Sequence, residues 1–243
     1  MAGHPQDEPF SRKQGLMSNA LQDRRASTTG DVDAACANSA TEPARELFHP
    51  GGHDLIAIAA SLGGIKALGE ILSALPPTFP AAIVIVQHRA VSLPNYQAQV
   101  LGRHCSLPVK FASELEQIRP GTVYLASPDT HLTIRSDRTF ALVDGRKIRF
   151  LRSSANPLFS SAAEVFGKRL IAMVLTGGDK DAVAGVQDVK TAGGMVIAQD
   201  PETCENADMP RAAIATGCVD LVLPVDKIAP ALVRLVEVRH QDL

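Results

Sequence analysis

Residues 55–64 read LIAIAASLGG, and Ile65, Leu68, Ile71, Leu72 and Leu75 follow at helical spacing until PPTFP at 76–80. An unbroken apolar run offers no polar face to water, so it suits a strand covered on both sides. Apolar residues recurring every three or four positions make one face of a helix. The stretch therefore reads as a buried strand, a tight turn and a helix, the opening unit of a parallel α/β sheet. Its unusual member is Ser61, a hydroxyl where the strand breaks into the turn. A serine so placed can cap the helix that follows, or it can be a nucleophile if a base and an orienting acid lie within reach.

Outward from this unit the pattern repeats. AAIVIVQH (81–88) is a second buried strand, LPNYQAQVLGR (93–103) a helix entered through Pro94, and VKFA and TVYLA two short strands. HLTIRSD and RTFALVDG (131–145) form a hairpin turning at Ser136, Asp137 and Arg138. The helical segment NPLFSSAAEVFGKR then leads into the strand LIAMVLTGG. DAVAGVQDVKTAG is a helix ending at Gly193 and Gly194, GMVIAQD and CVDLVLP are strands flanking the short helix MPRAAIATG, and DKIAPALVRLVEV closes the pattern as a helix. Strand followed by helix, over and over, predicts an α/β fold: an open, mostly parallel, doubly wound sheet flanked by helices, with one antiparallel hairpin.

Composition agrees. Aromatic residues are 4% and Trp is absent in a chain of 243 residues that is 45% hydrophobic, so Ala, Val, Ile and Leu must build the core. Residues 1–50 show no sustained period and read as a disordered tail, leaving 51–243 as one domain. Of 24 basic and 26 acidic residues the tail holds 5 and 7, which leaves 19 of each for the domain. A protein that neutralises nucleic-acid phosphates usually carries a basic excess, and none is present. The apolar runs are far shorter than a membrane span. Cys36, Cys105, Cys204 and Cys218 are scattered without metal-ligand spacing, which favours reduced thiols in a cytoplasmic protein and gives no metal or cofactor site.

In open parallel sheets ligands bind at the carboxyl ends of the strands. Three such ends carry chemistry: Ser61, His88 after AAIVIVQ, and Asp179 and Asp181 after LIAMVLTGG. Serine, histidine and aspartate are the parts of an acyl-transfer triad. Each also has a plainer role, Ser61 or either aspartate as a helix cap and His88 as a packed strand-end residue, and spacing leaves both accounts standing. SLGG matches neither GxGxxG nor a P-loop, so phosphate binding has little support.

LIAIAASLGGIKAL, LPPTFPAAIVIVQHRA, RPGTVYLASPDTHL, NPLFSSAAEVFG, LTGGDKDAVAGVQDVKTAGGMVIAQD and MPRAAIATG, in that order, resemble the catalytic domain of the CheB-type chemotaxis methylesterases over about residues 53–238. The resemblance implies a parallel α/β domain that hydrolyses γ-glutamyl methyl esters on the cytoplasmic helices of methyl-accepting chemoreceptors, and that also deamidates particular receptor glutamines. It makes Ser61 the nucleophile, His88 the general base and Asp181 the triad acid, counted in register from Leu175-Thr176-Gly177, and it leaves Asp179 to the loop. Backbone amides around Leu62 and Gly178 are the candidates for stabilising the oxyanion. The family's usual receiver domain, which fifty irregular residues cannot form, is expected to be missing.

The chain departs from the family pattern at five places. Leu62 replaces a hydroxyl residue, Gly178 replaces Met, and Asp179, Ala182 and Asp208 replace glycines. A glycine at position 179 suggests a backbone conformation that Asp tolerates better than most residues. The departures keep two other readings in play, a non-catalytic scaffold relative and a hydrolase of another ester or amide.

Overall fold

The computed structural model describes residues 54–88, 96–127, 130–143 and 153–237. The expected tail over 1–50, Cys36 and the helix entry at Pro94 lie outside them. The strands are β1 (Leu55–Ala60), β2 (Ala82–Gln87), β3 (Val109–Phe111), β4 (Val123–Leu125), β5 (His131–Ile134), β6 (Phe140–Val143), β7 (Leu170–Val174), β8 (Met195–Gln199) and β9 (Leu221–Leu223). The α-helices are α1 (Gly64–Ser73), α2 (Gln97–Gly102), α3 (Ala155–Phe166), α4 (Val183–Thr191), α5 (Asp208–Ile214) and α6 (Val225–Glu237).

Seven strands form one sheet in the order β3-β4-β2-β1-β7-β8-β9, with every pairing parallel. β5 and β6 pair antiparallel as the separate hairpin, from His131 opposite Val143 to Ile134 opposite Phe140. Alternation along β1 explains the two-sided core. Leu55, Ala57 and Ala59 pack on one side with α3, α4, α5 and the hairpin, whereas Ile56, Ile58 and Ala60 pack on the other with α1 and α6. All six are fully buried, and each large aliphatic side chain among them contributes roughly 1.5–3 kcal/mol. A strand with no exposed face cannot alternate in polarity, hence the continuous apolar run.

The topology then fixes where a site can be. β1 lies between β2 and β7, and the chain runs outward from it in both directions, toward β2, β4 and β3 on one flank and β7, β8 and β9 on the other. The turns leaving the carboxyl ends of β1 and β7 diverge there, to α1 on one face and α4 on the other, and open a crevice beside the end of β2. Among the described residues no helix is long and apolar enough to cross a membrane, and no group of three His, Cys, Asp or Glu is placed to hold a metal ion. Cys105 and Cys204 are free thiols.

Candidate active site

The turn after β1 does not use Ser61 as a cap. The N-cap of α1 is Gly63, at φ 79° and without a side-chain hydrogen bond, a left-handed conformation that glycine adopts without steric cost. Ser61 is held by its backbone instead: its N–H donates to the Thr176 carbonyl at 2.9 Å, and its carbonyl accepts from Gly64 N at 2.9 Å and Gln87 Nε2 at 2.7 Å. The hydroxyl makes no hydrogen bond among the described residues. It opens on a cleft of about 590 Å³ lined also by Leu62, Ile65, Lys66, His88 and Glu205. Leu62 is 55% exposed beside it.

His88 follows β2, its N–H tied to the Ala60 carbonyl at 2.9 Å. Its side chain is 5% exposed, and both ring nitrogens face carboxylates: Nε2 lies 2.9 Å from Asp181 Oδ2, and Nδ1 lies 3.1 Å from Asp179 Oδ2. Burial by itself would lower the pKa of this imidazole. The hydrogen bonds to Asp179 and Asp181, with the negative charge behind them, outweigh it and raise the pKa from 6.5 to about 9.

Asp181 is 3% exposed and anchored from both oxygens. Oδ1 accepts from the Ser154 hydroxyl at 2.6 Å and Asn156 Nδ2 at 2.8 Å, and Oδ2 accepts from Ala155 N at 2.5 Å. Burial opposes its ionisation, but His88 and these donors at the start of α3 hold its carboxyl below the usual Asp range. Neither aspartate caps α4, whose N-cap is Ala182 with no side-chain bond. The left-handed backbone also falls on Ala182, at φ 72°, and not on Asp179, contrary to the expectation drawn from the glycine pattern. Asp179 does more than shape the loop. Oδ1 accepts from Asp181 N at 2.7 Å while Oδ2 reaches His88, so expecting it only to shape the loop missed its contact with the imidazole.

The loops are laced together by polar residues that sequence reasoning passed over. The Thr176 hydroxyl lies 2.8 Å from the Leu62 carbonyl and accepts from Asn206 N at 3.0 Å, Gly177 N donates to Asn206 O at 2.8 Å, and Met209 N donates to Gly177 O at 3.0 Å. Gln87 bridges Ser61 O and His88 O, and Gln199 accepts from Thr176 N at 3.0 Å. Each glutamine is the one polar residue closing an apolar strand, AIVIVQ and MVIAQ, a signal available in the sequence. Gly177 permits the close approach, since a Cβ there would sit 2.8 Å from Ser61 Cβ and 2.1 Å from Met209 Sδ. The N–H groups of Leu62 and Gly178 donate no hydrogen bond among the described residues. Ser154, in contrast, is fully buried, caps α3 and donates to Asp181, so its hydroxyl has no access to a substrate.

The arrangement is a free hydroxyl at a strand end, a histidine at the next, and a buried carboxylate on that histidine, the equipment of covalent acyl transfer. Comparison with known proteins points the same way. Residues 56–232 match the CheB methylesterase family. A provisionally named protein-glutamate methylesterase/protein-glutamine glutaminase of Leptospira interrogans is 41% identical over 183 residues, spanning 75% of this chain and 95% of that protein. The protein-glutamate methylesterase FrzG of Myxococcus xanthus is 38% identical, with 81% of this chain matched to 59% of its length. The crystal structure of the Thermotoga maritima CheB methylesterase catalytic domain superposes with a TM-score of 0.72 at 38% identity, covering 76% of this chain and 99% of that one. The fold, the order of its motifs and these matches together place the chain in the CheB methylesterase family.

Proposed function

We propose that the protein is a protein-glutamate methylesterase that also deamidates glutamine, working in the cytoplasm on the helices of methyl-accepting chemoreceptors. The observation that carries the catalytic reading is the free Ser61 hydroxyl, opening on the cleft it shares with His88 while Gly63 caps the helix in its place. Ser61 Oγ attacks the γ-ester carbonyl as His88 removes its proton. The N–H groups of Leu62 and Gly178 receive the oxyanion. Collapse of the tetrahedral species breaks the C–O bond, and His88 returns the proton to the departing methoxide, which leaves as methanol. Water, deprotonated by His88, then releases the glutamate carboxylate and restores Ser61. Asp181 holds the imidazole throughout. An amide substrate follows the same course with ammonia as leaving group.

The test is methanol release from a receptor methylated with a radiolabelled methyl group, comparing the wild type with Ser61→Ala. Label released by the wild type alone supports the reading. Receptor left methylated by both, while an active-site serine probe still labels Ser61, points to another ester or amide, and no labelling points to a scaffold.

A further inference from the structure

The triad reading leaves Asp179 unexplained, and the geometry around it is specific. A general base must present a lone pair to the serine hydroxyl. In this site one ring nitrogen of His88 is 2.9 Å from Asp181 and the other 3.1 Å from Asp179, so both are taken by carboxylates and the Ser61 hydroxyl is bonded to neither. A neutral imidazole has only one N–H and would turn its lone pair toward one of the two carboxylates, whereas an imidazolium satisfies both. Asp179 is itself fixed, its second oxygen accepting from Asp181 N at 2.7 Å across the same turn.

Resting on the triad reading, we propose that Asp179 is a positioning residue that latches His88, occupying the imidazole nitrogen that Ser61 needs and keeping the base protonated until the latch opens. The charged groups nearby do not replace it. Lys66 and Glu205 line the Ser61 cleft, and Lys180, Asp208 and Arg211 line a separate depression of about 330 Å³ with Gly178 and Asp179, but among the described residues only Asp179 and Asp181 hold the ring. With the imidazole pKa raised to about 9 by the two carboxylates, the protonated ring dominates at pH 7 and little of the base is neutral. Asp179 is 32% exposed and lines that depression, so its own carboxylate stays hydrated when it swings outward, and the imidazolium left against Asp181 alone then gives up a proton more readily.

The decisive measurements are the His88 titration midpoint, read by NMR of ¹³C-labelled histidine in a Ser61→Ala background with the resonance assigned by His88→Gln, and the pH profile of kcat/KM on p-nitrophenyl acetate. Asp179→Gly removes the latch, and Asp179→Asn removes its charge while keeping an acceptor for Asp181 N. Both variants are expected to lower the midpoint by a unit or more. Asp179→Gly is expected to raise kcat/KM at pH 7 at least tenfold and to move the rising limb of the profile to lower pH. A midpoint unmoved in whichever variant folds, or a loss of activity in Asp179→Gly comparable to that of Asp181→Asn, overturns the proposal. The two readings fail separately: hydrolysis undiminished in Ser61→Ala refutes the triad, while the titration still decides whether Asp179 holds the ring.

Discussion

Replacing Asp181 by Asn isolates what the buried carboxylate does, because the change keeps shape and removes charge. Four donors converge on it, the Ser154 hydroxyl and Asn156 Nδ2 on one oxygen, Ala155 N and His88 Nε2 on the other. An amide has one oxygen, so whichever pair faces the new NH₂ meets a donor. If that pair is Ser154 and Asn156, the hydroxyl can turn to accept. Asn156 cannot, because its own oxygen already accepts from Gly185 N at 2.8 Å. One buried donor is then orphaned, and the charge-assisted bond to His88 is weakened. Together these cost about 2–4 kcal/mol. For a domain of this size that is a fall of roughly 5–15 °C in Tm. If the NH₂ turns to His88 instead, the imidazole is held in the wrong tautomer, which in serine proteases lowers turnover by up to ~10⁴. Asp179 does not rescue the variant, since it holds the opposite ring nitrogen. The assay is kcat/KM for ester hydrolysis at a temperature well below the variant's Tm, with circular dichroism to show that the fold persists. Activity within tenfold of wild type in folded Asp181→Asn would refute the assignment of this carboxylate to the triad.

Ser61→Ala should abolish ester hydrolysis with Tm nearly unchanged, since Gly63 and not Ser61 caps α1; a melting curve and a burst assay suffice. Gly177→Ala should cost about 1–3 kcal/mol and most of the activity, because the new methyl overlaps buried Met209 and pushes on Ser61; a Tm within about 1 °C of wild type would contradict this packing. The raised pKa of His88 also links folding to pH. Its stabilisation is fully present below pH 6.5 and is lost as pH rises through about 9, a change on the order of 3 kcal/mol for the wild type. Denaturant titrations at pH 6 and pH 10 should show that loss in the wild type and a smaller one in Asp179→Gly.

Much of the molecule was written in local pattern. The continuous apolar runs of β1, β2, β7 and β8 could be satisfied only by a sheet covered on both faces, and the spacing in α1 told which side of that helix would be covered. The hairpin followed from polar residues at 136–138 between two strand-like segments. Strand ends locate a crevice in any such sheet, so Ser61, His88, Asp179 and Asp181 were legible as candidates, and only the register of the family resemblance set Asp181 apart from Asp179. What local pattern could not decide was which groups cap helices and which are left free. That depends on the path of the backbone through each turn, and in the turns before α1 and α4 the left-handed residues proved to be Gly63 and Ala182. Nor could it show that Asp179 meets a histidine 91 residues earlier. Hydrogen bonds of 3 Å join atoms by position in space, and only the pairing of β1 with both β2 and β7 brings those two loops to the same end of the sheet.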